Sequence, residues 1–321
     1  MLKYILKRLL NLIPVILIIS MLLFGLMNAM PADPVQMMMP QDPNILKDKD
    51  LYEKTYNEIA ERYGLNKPLP ERYIRWLGRM AKFEFGDSTQ FKKPVKEVIG
   101  GPMKNTITLN IGATLISLFL SILIGIKSAV RRGGVYDRTW QVLSLIGMSL
   151  PIFFIGIALI YIFSFKLGWL PPSATSTTGT FKDKFIHLIL PTITITVGSL
   201  ASTLRYVRNA MIDALSQDYI RTARAKGVKE KTVIYSHAFR NALIPVVTVV
   251  TWSIIGIFGG AAITETIFSY NGIGQYLLQS VLAKDFNVVL TLNMFFALLS
   301  LLGNLLMDIG YALVDPRVRL E

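Results

Sequence analysis

An all-α protein that crosses a membrane several times is the fold class the sequence predicts, and three observations carry that expectation. Of the 321 residues 52% are hydrophobic and 17% charged, where a soluble chain usually carries about a quarter charged residues. Six apolar stretches, at about 9–30, 106–126, 139–165, 185–204, 242–264 and 286–311, are each long enough to cross the hydrocarbon as helix, which takes roughly 20 residues. None shows the period-2 alternation of a membrane barrel strand. The first five contain no Asp, Glu, Lys or Arg, and the sixth contains only Asp308. Six transmembrane helices are expected.

The first element, residues 1–30, combines a short N-terminus carrying Lys3, Lys7 and Arg8 with the first span. A signal peptide shares that charge pattern, but its apolar region is about 7–15 residues, and here the run continues to Met27. NAMPADP after it offers no small-x-small cleavage site, so the helix is expected to stay attached. Residues 31–104 follow as a long extramembrane segment. Tyr52, Tyr56, Ile59 and Tyr63 recur at helical spacing, as do Tyr73, Trp76 or Leu77, Met80 and Phe83, with Pro68 and Pro70 between the runs. A small helical cap is expected between helices 1 and 2, serving either packing alone or contact with an outside partner.

The other five spans lie in residues 105–321. Pro14, Pro151, Pro191 and Pro245 punctuate four of the six spans, and each frees a carbonyl and permits a bend. In the fourth span Thr192, Thr196, Ser199 and Thr203 fall on one face. Hydroxyls there serve close helix packing or line a water-filled path, since they can bond water or a passing peptide without the cost of a charge. Thr248 and Thr251 begin a similar stripe in the fifth span, running into Gly256 and Gly260, a GxxxG pair expected to pack. Glu265 and Asp308 sit near span ends, where they are expected to be anchors under modest desolvation. Ion-driven pumps place carboxylates deep between helices, and these midplanes hold none. Energy is expected to come from another protein.

Charge sets the orientation. With the N-terminus inside, the inner segments hold seventeen Lys and Arg, against four in the two shorter outer loops. The inner set includes Lys127, Arg131, Arg132, Arg138, Arg205, Arg208, Arg317 and Arg319. The cap holds thirteen more, but at over 70 residues it is long enough to escape the rule. Both termini are expected in the cytoplasm. The net charge of +13 therefore reads as topology and headgroup contact rather than nucleic-acid binding.

Enzymatic chemistry is not expected. Cysteine is absent, and no HExxH, GxxxxGK[ST] or GxGxxG occurs. His187 and His237 are placed on opposite sides of the membrane by this topology, so no metal site is expected.

The connection between the fourth and fifth spans, about 213–241, is the most structured of the inner segments. Asp218 to Lys226 is a good helix former with Gly227 as its stop, and a second helical piece from Lys229 to Phe239 should follow. Arg221, Arg224 and Lys226 present cations, while Ala223 and Ala225 leave room for a groove. Such a knob suits docking on a partner protein or lying on anionic lipid.

At these residues the chain resembles a known family. YIRTARAKG and HAFRNALIP look like the cytoplasmic coupling loop of bacterial ATP-binding-cassette importer permeases, in the dipeptide/oligopeptide and nickel group, "B"-type subunit. RYGLNKPLPERYIRWL with FEFGDS, GGAAITETIFSYNGIGQYLLQSVLAKDFNVV and the closing DIGYALVDPRV match the same group in order. The general family pattern opens Glu-Ala-Ala where this chain has Arg221-Thr222-Ala223, and Asn271 stands where the group often has proline. The resemblance implies a type I ABC importer permease fold in a bacterial cytoplasmic membrane. Its partners would be a second homologous permease, two ATPase subunits holding ATP and Mg, and an extracytoplasmic peptide-binding protein. This chain would bind no cofactor. The ATPase contact would run over Arg221, Thr222, Ala223, Arg224, Ala225, Lys226 and Gly227, while Thr192, Thr196, Ser199, Thr203, Thr248 and Thr251 are the path candidates. A permease for nickel chelates and an ion-coupled secondary transporter are the rival functions.

Overall fold

The computed structural model describes residues 2–29, 33, 35, 36, 39, 40 and 42–314, the side chains of 2–5, 63 and 314 excepted. Lys3 and Tyr63 as side chains, and Arg317, Arg319 and the DPRV of the closing motif, lie outside the described residues. The described helices, in order, are α1 (Leu2–Ala29), α2 (Pro43–Lys47), α3 (Lys49–Tyr63), α4 (Leu69–Ala81), α5 (Val95–Val130) and α6 (Val135–Ser149). Then come α7 (Ile152–Lys166), α8 (Phe181–Leu215), α9 (Asp218–Ala225), α10 (Glu230–Gly256), α11 (Ala262–Ile267), α12 (Ile273–Leu282) and α13 (Phe286–Val314). Five of these, α1, α5, α8, α10 and α13, are long and apolar enough to cross a membrane, and α6 with α7 makes a sixth if counted as one broken span.

Proline explains that break, yet three other prolines of the spans produce none. The third span, expected as one helix over 139–165, bends by 103° between Ser149 and Ile152. Leu150, the residue before Pro151, is extended at φ −81° and ψ 130°, as clash with the proline ring demands. Pro14, Pro191 and Pro245 instead lie inside continuous helices.

The chain divides into two compact units. The larger holds residues 1–6, 102–276 and 299–321. Within it α8 is the central helix, packed on α6, α7 and α10. Its approach to α5 is close enough that a β-carbon placed on Gly125 would stand 2.8 Å from Val207. The glycines that let α10 pack tightly are Gly303 and Gly310 of α13, the latter leaving only 2.6 Å between an added β-carbon and Val247. The expected Gly256–Gly260 pair does not do this. Helix α10 ends at Gly256, and Gly260 lies beyond it at φ +74°, so the two share no helix face.

The smaller unit holds residues 7–101 and 277–298. Both expected cap helices form here. Asp48 caps α3 by accepting from the Asp50 and Leu51 amides, and Gly64 ends it at φ +66°. Pro68 and Pro70 open α4, where a missing amide proton costs nothing. Tyr73, Trp76, Leu77 and Met80 form the inward face of α4, on Phe24 and Met27 of α1 and on Phe286, Leu290 and Met294 of α13. Ser20 and Tyr73 share a hydrogen bond of 2.7 Å between hydroxyls. Phe83 does not continue that face: the helix stops at Ala81, and Phe83 stands exposed at φ +60°. Nor does the helical order stop at residue 104, since α5 begins at Val95 and runs through it.

Candidate functional site

The knob between α8 and α10 is one short helix on a tight elbow. Ser216 and Gln217 end α8 and start α9. Ile220 points inward and is fully buried among Val207, Ala210, Met211, Val233 and Ala238, pinning α9 to the bundle. Removing such a side chain costs about 2–5 kcal/mol, so this anchor makes the knob a lever rather than a tether.

Gly227 sets the elbow. It sits at φ +72°, its amide donates to Arg224 (3.0 Å), and the Val228 amide donates to Ala223 (3.2 Å). That pair of bonds is a Schellman closure, with Ala223 and Val228 both packed on the core. A β-carbon on Gly227 would meet nothing within 4 Å, so the backbone conformation, not crowding, requires glycine there.

The expected contact residues divide by direction. Arg221, Thr222, Ala225, Lys226 and Gly227 are exposed, and Tyr219 joins them on the same surface. Ala223 faces inward and is half-buried against the core. Arg224 is paired: Nη2 donates to Glu230 Oε1 at 2.6 Å across the elbow, and that bond raises the Arg224 pKa further. The second helical piece is not separate, because α10 runs without interruption from Glu230 to Gly256. Its start includes a wide π-type stretch at Val233–Ala238.

Two buried carboxylates, neither singled out as buried from sequence, frame this region. Asp137 is fully buried and takes a bidentate grip from Arg208 (Nε to Oδ1 2.6 Å, Nη2 to Oδ2 2.8 Å), with the Gly133 amide at 2.9 Å and Gln141 at 3.1 Å. It locks the α5–α6 turn to the last third of α8, ten residues before α9 begins. Fork-to-carboxylate pairing of this kind fixes orientation as well as distance.

Glu265 lies on the other side of α10 and overturns the expectation of modest desolvation, since its exposure is 0%. Thr106 donates to Oε1 (2.6 Å), as does the Ala261 amide (3.2 Å), and the Gln275 amide donates to Oε2 (2.8 Å). Thr106 in turn accepts from the Ile273 amide at 2.8 Å, and Asn105 Nδ2 donates to the Asn271 carbonyl at 2.9 Å. Gly272 and Gly274 give the carboxylate its room, for a β-carbon on Gly272 would collide with it. Tyr270 donates to the Asn105 carbonyl at 2.9 Å, and burial together with the Glu265 charge pushes its phenol up to about 12. A glutamate followed by two glycines seven and nine residues later was the available signal.

The hydroxyl stripe of α8 faces α5. Thr196 and Thr203 are buried, Thr196 donating to the Ala113 carbonyl at 3.4 Å, while Ser199 donates back to Ile195 at 2.8 Å. Thr192 is half-buried against Gly112. On α10, Thr251 is buried and Thr248 shares a 2.5 Å bond with Tyr311. His187 packs beside Asp183 in α8, and His237 is half-buried in α10. Among the described residues no cluster of three or more potential metal ligands occurs.

Comparison with known proteins gives this arrangement a context. Residues 121–320 match the family described as binding-protein-dependent transport system inner membrane component, and residues 1–95 match the N-terminal model of the corresponding membrane component. The oligopeptide transport system permease protein AppB of Bacillus subtilis (strain 168) is 39% identical over 99% of both chains. The di/tripeptide transport system permease protein DppB of Pseudomonas aeruginosa (strain UCBPP-PA14) is 36% identical, again over 99% of each. The glutathione transport system permease protein GsiC of Pectobacterium atrosepticum is 36% identical over the same shares. A chain of the inward-facing MetNI methionine ABC transporter shares the fold at TM-score 0.50 and 18% identity, covering 69% of this chain and 97% of that one.

Proposed function

The chain belongs to the family of binding-protein-dependent transport system inner membrane components, and from that premise we propose that it is the permease subunit of an ATP-driven peptide importer. Multi-pass membrane architecture and the names of its full-length relatives support that reading over a nickel-chelate or ion-coupled transporter. The chain itself is non-catalytic. A second permease, two ATPases carrying ATP and Mg, and an extracytoplasmic peptide-binding protein complete the machine.

The observation that carries the coupling role is the division of labour within α9. Its inward side is fastened by Ile220, Ala223 and Val228, while Arg221, Thr222, Ala225, Lys226 and Gly227 stay exposed. Among the described residues their side chains bond only within α9 itself, Thr222 donating to the Asp218 carbonyl at 3.0 Å and Arg221 touching Asp218 at 3.5 Å. ATPase subunits holding this surface differently in their two nucleotide states would shift α8 and α10 between two arrangements, which is alternating access driven from outside the chain. Asp137–Arg208 keeps the end of α8 rigid enough to transmit that motion. Thr192 and Ser199, the half-buried members of the hydroxyl stripe, are the path-lining candidates we retain; Thr196, Thr203, Thr248 and Thr251 serve packing.

Orientation follows from the charge count, with the knob and both termini in the cytoplasm. The absence of native cysteine makes the test direct. Arg221→Cys in sealed, right-side-out vesicles should resist a membrane-impermeant maleimide and react once the vesicles are opened. Radiolabelled dipeptide uptake should need ATP, the ATPases and the binding protein together. Uptake by the chain alone in liposomes under an ion gradient would overturn the proposal.

A further inference from the structure

The smaller unit contains a feature that the transport cycle does not use. A cleft of about 310 Å³ opens between the end of α3 and one face of α4, lined by Arg62, Gly64, Arg75, Gly78, Arg79 and Lys82. Arg75, Gly78, Arg79 and Lys82 follow one another at i, i+3, i+4 and i+7, so they share a helix face, with the glycine at its centre. Helix C-termini favour one nearby cation each, and Arg62 and Arg79 meet that need. Arg75 and Lys82 exceed it, although Glu71 pairs with Arg75 at 2.8 Å. Gly78 is unexplained by packing, since a β-carbon there would meet nothing within 4 Å. Glycine inside a helix is destabilising relative to alanine, and what it provides here is open volume among cations.

The surroundings of the cleft point to its occupant. Arg79 also lines an adjoining cavity of about 70 Å³ whose other walls include Phe24, Met27 and Asn28, the last turns of the α1 span before Ala29. Arg72 donates to Asn28 Oδ1 at 2.6 Å and keeps a buried Nε that finds no hydrogen-bond partner among the described residues. Trp76 lies in the same wall, a residue type concentrated at membrane–water boundaries. Leu69 and Ile74 of α4 are exposed at 52% and 67%. A helix with cations on one face and bare apolar side chains beside them, at the end of a span, has the make-up of an interfacial helix.

We propose that this cleft holds the phosphate of an anionic phospholipid. Guanidinium groups bind phosphate oxygens through paired donors, and several cations around one phosphodiester favour a headgroup without a compensating ammonium. The test uses the purified full chain in nanodiscs of phosphatidylcholine with a minor fraction of phosphatidylglycerol, counting retained lipid by native mass spectrometry. The wild type should retain phosphatidylglycerol in preference to phosphatidylcholine. Gly78→Glu, which adds a carboxylate where space is open, should lower that retention roughly tenfold or more while the protein stays monodisperse, as should Arg75→Gln with Arg79→Gln. Gly78→Ala, which takes up only a methyl's worth of that volume and adds no charge, should stabilise the helix and lower retention far less than Gly78→Glu. Equal retention by wild type and Gly78→Glu overturns the proposal, as does equal retention of the two lipids by the wild type. So does a result in which Gly78→Glu abolishes binding of an acidic extracytoplasmic protein while phosphatidylglycerol retention is unchanged.

Discussion

Helix α10 is flanked by two connections that solve opposite problems. The one before it, through α9, buries its apolar side and leaves charge on the outside: Arg221 is 78% exposed as a side chain. The one after it, through α11, turns its charge inward, so that Glu265 is sealed and accepts three hydrogen bonds at 0% exposure. A segment that satisfies its own polar groups is frame, and its substitution should cost folding. A segment that is firmly anchored yet polar outward is an interface, and its substitution should cost coupling while the fold survives. Breaking each side in turn tests that division.

The largest effect is expected at Glu265. Glu265→Ala strands the Thr106 hydroxyl and the Ala261 and Gln275 amides, each buried group costing about 1–3 kcal/mol when left unpaired. Thermal unfolding in detergent should show a drop of several degrees or a failure to accumulate in the membrane. Gly272→Ala should do the same through collision with the carboxylate. Near-normal stability of both variants would mean that the connection after α10 is not frame.

Asp137 comes next. Asp137→Ala leaves Arg208, 13% exposed, without its partner, and losing one member of a buried pair costs about 3–5 kcal/mol where no water reaches the other. Arg208 lies on the final turns of α8 and can turn toward headgroups, so the loss should fall at the low end. Because the pair braces α8 rather than forming the interface, ATPase activity should fall less steeply than uptake. A proportional fall in both would place Asp137 in the fold alone.

Legibility in the sequence follows the same division. The outward-facing connection was readable because exposure leaves residue types free to report chemistry: a cationic helix, a glycine stop, apolar neighbours. Its interior was not, since Ala223 and Arg224 look alike in composition whether they face a partner or the elbow, and only the Glu230 contact decides. The buried connection was misread for a physical reason. A carboxylate just past an apolar run reads as solvent-exposed unless one knows that Gly272 and Gly274 bring backbone amides around it. The helical piece from Lys229 to Phe239 was expected to stand apart from the span beginning near residue 242, yet Val233 and Ala238 supply enough buried surface to carry one helix from Glu230 through the span. Pro151 and Pro245 are indistinguishable as letters. One bends the chain by 103° and the other rides inside a helix held by neighbours.

At Gly227 the comparison sharpens. Gly227→Val forces a branched side chain into the left-handed region at a cost of about 1–2 kcal/mol, and adds bulk to the exposed surface. Gly227→Asn adds bulk too, but tolerates that backbone. If the knob is an interface, both should reduce peptide uptake and peptide-stimulated ATP hydrolysis, with only the valine variant losing stability. Loss of function in the valine variant alone would assign Gly227 to the elbow and leave the surface around it unused.

The smallest effect on stability belongs to Arg224 and Glu230, whose side chains are 47% and 54% exposed. An ion pair in that setting contributes about 0.2–1 kcal/mol, so Arg224→Gln should barely move the unfolding midpoint. Its effect on uptake separates two roles that the position combines. Arg224 clamps the elbow to α10, and its guanidinium also stands beside the surface carrying Arg221 and Lys226. Exchanging the charges, Arg224→Glu with Glu230→Arg, restores the clamp and moves the positive charge across the elbow. Recovery of uptake relative to Arg224→Glu alone would show that the clamp is what the partner needs held. Uptake that stays lost, with the unfolding midpoint restored, would show that the partner reads the cation at position 224 itself, and the interface would then extend over the residue that holds the elbow shut.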